Sequence, residues 1–137
     1  MSTTIKVIGY HIDAFGHVNN ARYLEFLEAA RWDWLESYDA YRWFKQMDIA
    51  VVVVNININY RLPVYVGERL VIDSYLQHAG QKSGVLKQII TRQEDKQIVA
   101  DAEVTFVFIN MKTGKAIPIE GEIRDKFELL TGPKESR

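Results

Sequence analysis

The chain has 137 residues, 47% hydrophobic, 26% charged and 12% aromatic, a mixture that builds a packed core and excludes fibrous and disordered classes. At this length folding buries roughly two-thirds of the unfolded surface, so stability requires neither a metal nor disulfides, and the lack of cysteine removes thiol nucleophiles and cysteine metal sites. Seventeen Lys and Arg against eighteen Asp and Glu give a formal charge of −1 with no basic cluster, which argues against nucleic acid and anionic membrane as partners.

The first residues, Met1 to Tyr10, lack the apolar core and small-residue cleavage site of a secretory signal. Ile5 to Gly9 predicts a short strand, and Tyr10 to Val18 has neither helical nor strand period. From Asn20, the residues Tyr23, Phe26, Leu27, Ala30 and Trp34 recur at helical spacing, while Arg22, Glu25, Asp33 and Glu36 occupy other faces. Asn19 is placed to cap this helix, which is expected from Asn20 to Ser37. Tyr41 to Asp48 is aromatic and fits one or two helical turns.

The period then changes. Ile49 to Val54 is apolar and largely β-branched, too short a run to span a bilayer. Asn55 to Tyr60 alternates strictly, with Ile56, Ile58 and Tyr60 on one face and asparagines on the other. Arg61-Leu62-Pro63 ends the strand. Three more strands are expected at Leu70 to Gln77, Val85 to Arg92 and Ile98 to Ile109, separated by turns at His78 to Gly84 and Glu94 to Gln97. A turn at Lys112 to Lys115 precedes a short apolar piece, Ala116 to Ile119, and Ile123, Phe127 and Leu130 mark a C-terminal helix. Residues 1–131 read as a single domain and 132–137 as a flexible tail.

Short connections between successive strands imply antiparallel pairing. The long helix, whose wide apolar side includes Trp32, then has to bury itself on the concave side of the sheet, because no other layer covers it. The fold class is α+β, an antiparallel sheet wrapped around one long central helix. A cystatin-like helix-on-sheet arrangement has the same element composition and is the structural alternative.

The segment Tyr10-His11-Ile12-Asp13-Ala14-Phe15-Gly16-His17-Val18-Asn19-Asn20-Ala21-Arg22-Tyr23 resembles the signature of the hotdog-fold acyl-CoA thioesterases of the 4-hydroxybenzoyl-CoA thioesterase superfamily. There an Asp in the loop before the central helix is followed by a Gly three positions on and a Tyr early in the helix. Leu24 to Glu36 and Val51 to Arg61 are similar to bacterial long-chain acyl-CoA thioesterases of the thioesterase III type. The resemblance runs from Ile5 to about Leu130 and implies hydrolysis of a fatty acyl-CoA to free acid and coenzyme A, with no cofactor.

Thioester hydrolysis needs a nucleophile at the carbonyl carbon and a donor for the charge that develops on oxygen. The resemblance makes Asp13 the carboxylate that activates water or attacks directly; the plain alternative is a turn residue bonded to its own backbone. Asn20 stands where unpaired N–H groups and the positive end of the helix dipole face outward, and in the family a backbone N–H at this position polarises the carbonyl. His17 matches a histidine that assists some acyl thioesterases and has the near-neutral pKa for protonating a departing thiolate. The chain departs from the plant acyl-carrier-protein enzymes in having Phe15 where they carry Asn, and a histidine that caps or underlies the helix start is the alternative role. Gly16 is read as a backbone requirement, either a turn or a close approach of the thioester.

Tyr23 is read as core packing or as a residue that places Asp13 by hydrogen bond. Glu28 is expected to pair with Arg31. Trp32, Trp34 and Trp43 fill core or line an acyl tunnel. His11 and His78 are surface or turn residues, and no histidine pair has metal-ligand spacing, so no metal is expected. A non-catalytic acyl-CoA-binding module, an acyl-carrier-protein thioesterase and a hotdog hydratase or dehydratase acting on acyl thioesters are the competing functions. Hotdog thioesterases pair their sheets edge to edge, so a cytoplasmic homodimer or homotetramer with sites at the subunit interface is expected.

Overall fold

The computed structural model describes residues 2–131, with side chains through residue 128, and the expected tail 132–137 lies outside the described residues. The elements are β1 (Ser2–Lys6), a 3-10 turn (Gly9–His11), α1 (Asn20–Ser37), α2 (Ala40–Gln46), β2 (Ile49–Tyr60), β3 (Arg69–Ala79), β4 (Gly84–Arg92), β5 (Ile98–Asn110), β6 (Ala116–Ile117) and α3 (Gly121–Thr131). The strands form one six-stranded sheet in the order β1-β3-β4-β5-β2, with β6 beside β5.

β1 is antiparallel to β3, Ser2 opposite Asp73 and Lys6 opposite Arg69. The β3–β4 and β4–β5 connections are too short for a crossover; Gly80 N–H donates to Ser83 C=O and Arg92 N–H to Gln97 C=O, each at 2.8 Å. β2 runs antiparallel to β5, since Arg61 N–H reaches Val99 C=O while Met111 N–H reaches Asp48 C=O. The α+β expectation holds. β1 itself lies earlier than the expected Ile5 to Gly9, because the ladder with β3 fixes its register and the chain turns into the 3-10 segment at Gly9.

The chain divides into two compact units, the first comprising residues up to Trp34 with Ile58–Ser74 and Gln88–Ala102, the second Leu35–Asn57, Tyr75–Lys87 and the chain from Glu103 onward. In the first unit Tyr23, Phe26, Leu27 and Ala30 of α1 join Leu70, Ile72, Ile90, Val99, Ala100 and Ala102 in one buried cluster. The i, i+3, i+4 spacing of the helix meets the period of two in β3 and β4. Polar groups fix the helix on the sheet as well. Gln88, fully buried, donates through Nε2 to Leu27 C=O and to Ser74 Oγ, both at 3.0 Å, and its Oε1 accepts from Arg31 at 3.2 Å.

That last bond corrects the expected Glu28–Arg31 pair: no ion pair joins them among the described residues, and the guanidinium turns to Gln88 instead. Burial lowers the Arg31 pKa, opposed by the charge of Glu28. Trp32 is also corrected. It is 42% exposed, whereas Trp34 is 4% exposed, because at roughly 100° per residue Trp32 falls half a turn around the helix from Tyr23.

The second unit is aromatic. Phe108 packs on Phe44 at 5.4 Å and on Phe127 at 5.0 Å, and Phe106 meets Phe127 at 5.3 Å. Gly84 makes room for this cluster, since a Cβ there would lie 2.4 Å from Phe106 Cζ. Arg124 secures the α3 end by donating to Ile119 C=O at 3.1 Å and Gly80 C=O at 2.7 Å.

Candidate active site

The segment before α1 is aperiodic yet heavily bonded. His11 Nδ1 accepts from Ile8 N–H at 3.0 Å, and Ile12 forms an antiparallel bridge with Val18. Between those bridge residues the chain reverses: Asp13 N–H donates to His17 C=O at 3.0 Å and Gly16 N–H to Asp13 C=O at 3.1 Å. Gly16 has φ +87°, a left-handed setting that a side chain disfavours. Gly16 makes the turn expected of it, nothing in the described chain lies within 4 Å of a Cβ built there, and Gly16 does not line the cleft wall described below.

Asp13 Oδ1 accepts Phe15 N–H at 2.9 Å. The plain turn-forming account is thus realised in one carboxylate oxygen, while Oδ2 has no hydrogen-bond partner among the described residues. His17 Nδ1 lies 4.0 Å from Asp13 Oδ1 and 3.3 Å from Val18 C=O.

α1 begins as its sequence predicts. Asn19 caps it, Oδ1 accepting Ala21 N–H at 2.9 Å and the backbone C=O accepting Arg22 N–H at 2.9 Å. The Asn20 N–H is left without an acceptor among the described residues, at the positive end of an 18-residue helix.

Asp13, His17, Asn20 and Tyr23 line one open cleft of about 390 Å³, closed on its other side by Tyr60, Arg61, Leu62 and Pro63. Tyr23 is buried and shares the core cluster, so packing and the cleft wall are the same position. It makes no hydrogen bond to Asp13. Burial first, then the neighbouring Tyr60 and Glu68, pushes its phenol up to about 12, which keeps it neutral at working pH. Arg61 is held by the Asp101 carboxylate, which raises its pKa and also accepts from Asn59 at 3.3 Å.

Tyr60 and Arg61 did not stand out as site residues in the sequence, where they only end a strand. Tyr60 reaches the helix start across 40 residues of chain, its hydroxyl donating to Asn20 C=O at 3.0 Å. Trp32, Trp34 and Trp43 are absent from the cleft wall; Trp43 packs on Phe44, under Lys126. His11 sits in the 3-10 turn with its ring edge-on to Phe26, and His78 lies on β3, both away from the cleft wall. Among the described residues no group of three or more His, Asp and Glu could hold a metal ion.

Comparison with known proteins gives concordant results. The model of the thioesterase-like superfamily matches residues 8–127. Over 130 residues the chain is 57% identical to the long-chain acyl-CoA thioesterase FadM of Escherichia coli strain K12, covering 95% of this chain and 98% of the relative. A crystal structure of the probable thioesterase YbaW from Escherichia coli superposes with TM-score 0.91 at 56% identity, over 96% of this chain and 98% of that one. The Synechocystis 1,4-dihydroxy-2-naphthoyl-CoA thioesterase Slr0204 shares the fold alone, at TM-score 0.82 and 22% identity over 96% and 98% of the chains. These neighbours fix the architecture as hotdog and set aside the cystatin-like alternative.

Proposed function

The chain belongs to the thioesterase-like superfamily, and on that premise we propose that it hydrolyses long-chain fatty acyl-CoA to free fatty acid and coenzyme A in the Asp13 cleft. The observation that carries this reading is the convergence in one cleft of a carboxylate with an unengaged oxygen and a helix N-terminal N–H without an acceptor. Each supplies one requirement of acyl transfer.

In the proposed reaction the Asn20 backbone N–H receives the carbonyl oxygen as it turns into an oxyanion. Asp13, its Oδ1 oriented by Phe15 N–H, acts through Oδ2 either as base toward water or as nucleophile. Attack by water, whose proton passes to Asp13, or by Oδ2 itself forms the new C–O bond, and collapse breaks the C–S bond; after attack by Oδ2, water opens the resulting anhydride to release the fatty acid. His17, in the same cleft wall, protonates the thiolate. Tyr23 forms the wall against which the acyl group lies, and Gly16 sets the loop. No cofactor enters these steps. Single-turnover hydrolysis in heavy-oxygen water bears on the two roles of Asp13: label in its carboxylate marks an anhydride opened at the aspartyl carbonyl, and label only in the fatty acid favours direct attack by water.

The assembly proposed is a homodimer or homotetramer with each cleft at a subunit interface, built from a single hotdog domain over residues 1–131. Support comes from β2, which ends the strand order and exposes Val51, Val52, Val53 and Val54 by 37 to 56%. A long β-branched edge of that kind pairs readily with another strand. Phe15, beside Asp13, is 86% exposed. Sedimentation at assay concentration tests the assembly, and a fully active monomer would contradict it. No described helix is long and apolar enough to cross a membrane; the proposed location is the cytoplasm, a reading supported by the proposed CoA thioester substrate.

Release of free thiol from palmitoyl-CoA, followed with a chromogenic thiol reagent, tests the activity. Turnover is expected, with kcat/KM rising from short to long acyl chains, since each buried methylene contributes up to about 0.8 kcal/mol. Binding without thiol release would convert the enzyme into a non-catalytic acyl-CoA module.

A further inference from the structure

We propose that Tyr60 is a positioning residue that holds the first turn of α1, and with it the Asn20 N–H, in the orientation that receives the thioester oxygen. The inference rests on the thioesterase reading above and adds a residue that touches neither the nucleophile nor the reacting carbonyl.

Three observations carry it. The end of β2 is firmly anchored, because Arg61 N–H and Leu62 N–H both donate to Val99 C=O, at 2.8 and 3.2 Å. From that anchor the Tyr60 hydroxyl donates to Asn20 C=O at 3.0 Å. A helix carbonyl has a second lone pair beyond the one used in the helix, so the phenol adds a bond without displacing another. First turns fray when their only ties are their own caps, and clamping the carbonyl of residue 20 restricts the torsions that aim its N–H. Finally, the Tyr60 ring stands edge-on to Tyr23 at 5.1 Å, which orients the phenol from a second side.

The hydroxyl's one proton is used at Asn20, so the phenol does not act as a donor to substrate. Tyr60 is also 48% exposed, so removing only its oxygen leaves the core untouched. A purely structural role would therefore show up weakly, in stability, and independently of the oxyanion donor.

The test is a double-mutant cycle read in kcat, KM and Tm. Tyr60→Phe keeps the ring and deletes the bond. Asn20→Pro deletes the N–H at the first helical position, where proline is well accommodated. Asn20→Pro is expected to lower kcat by about 10² to 10³. Tyr60→Phe should lower kcat by about tenfold with KM and Tm unchanged, and should have no further effect in the Asn20→Pro background. Faster amide exchange at Asn20 in Tyr60→Phe gives the same answer without turnover. The proposal is overturned if Tyr60→Phe turns over at the wild-type rate, or if it costs the same factor in both backgrounds. Failure of the underlying reading looks different: either the wild type releases no thiol, or Asn20→Pro retains full kcat, and the positioning role then falls with it.

Discussion

The two units of the molecule handle their polar groups and aromatic rings in opposite ways. In the second, Phe44, Phe106, Phe108 and Phe127 are all buried against one another, and Arg124 spends its donors on two backbone carbonyls. In the first, around the start of α1, Tyr60 and Phe15 are exposed, an N–H is left without an acceptor and a carboxylate oxygen is left unengaged. Buried polar groups are normally satisfied, and the Gln88, Ser74 and Leu27 network shows that the first unit obeys this where it is packed. The open donor, Asn20 N–H, and the open acceptor, Asp13 Oδ2, both belong to residues that line the cleft. One unit closes its bonding capacity on itself, and the other leaves part of it open at the proposed site.

Substitutions can sharpen or break that contrast. The largest effect is expected from Phe108→Ala, which empties the centre of the aromatic cluster and should cost about 3 to 5 kcal/mol in denaturant unfolding, while the folded fraction keeps its kcat. A parallel loss of kcat per folded molecule would show that the contrast is false. Gly84→Ala forces a methyl into the Phe106 ring and should cost about 1 to 3 kcal/mol with the same indifference of kcat.

In the first unit the scale reverses. Asn19→Ala removes the cap on Ala21 N–H, about 1 kcal/mol of stability, yet it should reduce kcat severalfold because the first turn loosens beside the proposed oxyanion donor. The smallest effect is alkaline. Tyr23 has its phenol raised from 10.0 to about 12, so the unfolded chain loses that proton first as pH rises. The contribution is complete below pH of about 10 and is lost between there and about 12. Tyr23→Phe should flatten this limb of the stability profile, and an unchanged limb would remove Tyr23 as its source.

Much of this was legible in the chain. α1 runs from Asn20 to Ser37 as its cap and spacing predict, because both signals are local. The alternation of β3 to β5 is equally local. What escaped depends on tertiary neighbours. β1 took its register from β3, and Trp32, apolar by composition, lies on the side of the helix away from Tyr23 and remains 42% exposed. Asp13, His17 and Asn20 could be grouped from the sequence because one short stretch holds all three, and they line one cleft. Tyr60 and Arg61 enter the same cleft from the far end of β2, and no short-range pattern announces such a meeting.

The central claim is that the Asp13 carboxylate drives thioester cleavage in a fold that does not depend on it. The most direct measurement is kcat for palmitoyl-CoA hydrolysis by Asp13→Asn, with Tm recorded on the same samples. The account predicts a fall of roughly a hundredfold or more, with Tm close to that of the wild type because the amide oxygen can still accept Phe15 N–H. Turnover near the wild-type rate would contradict it.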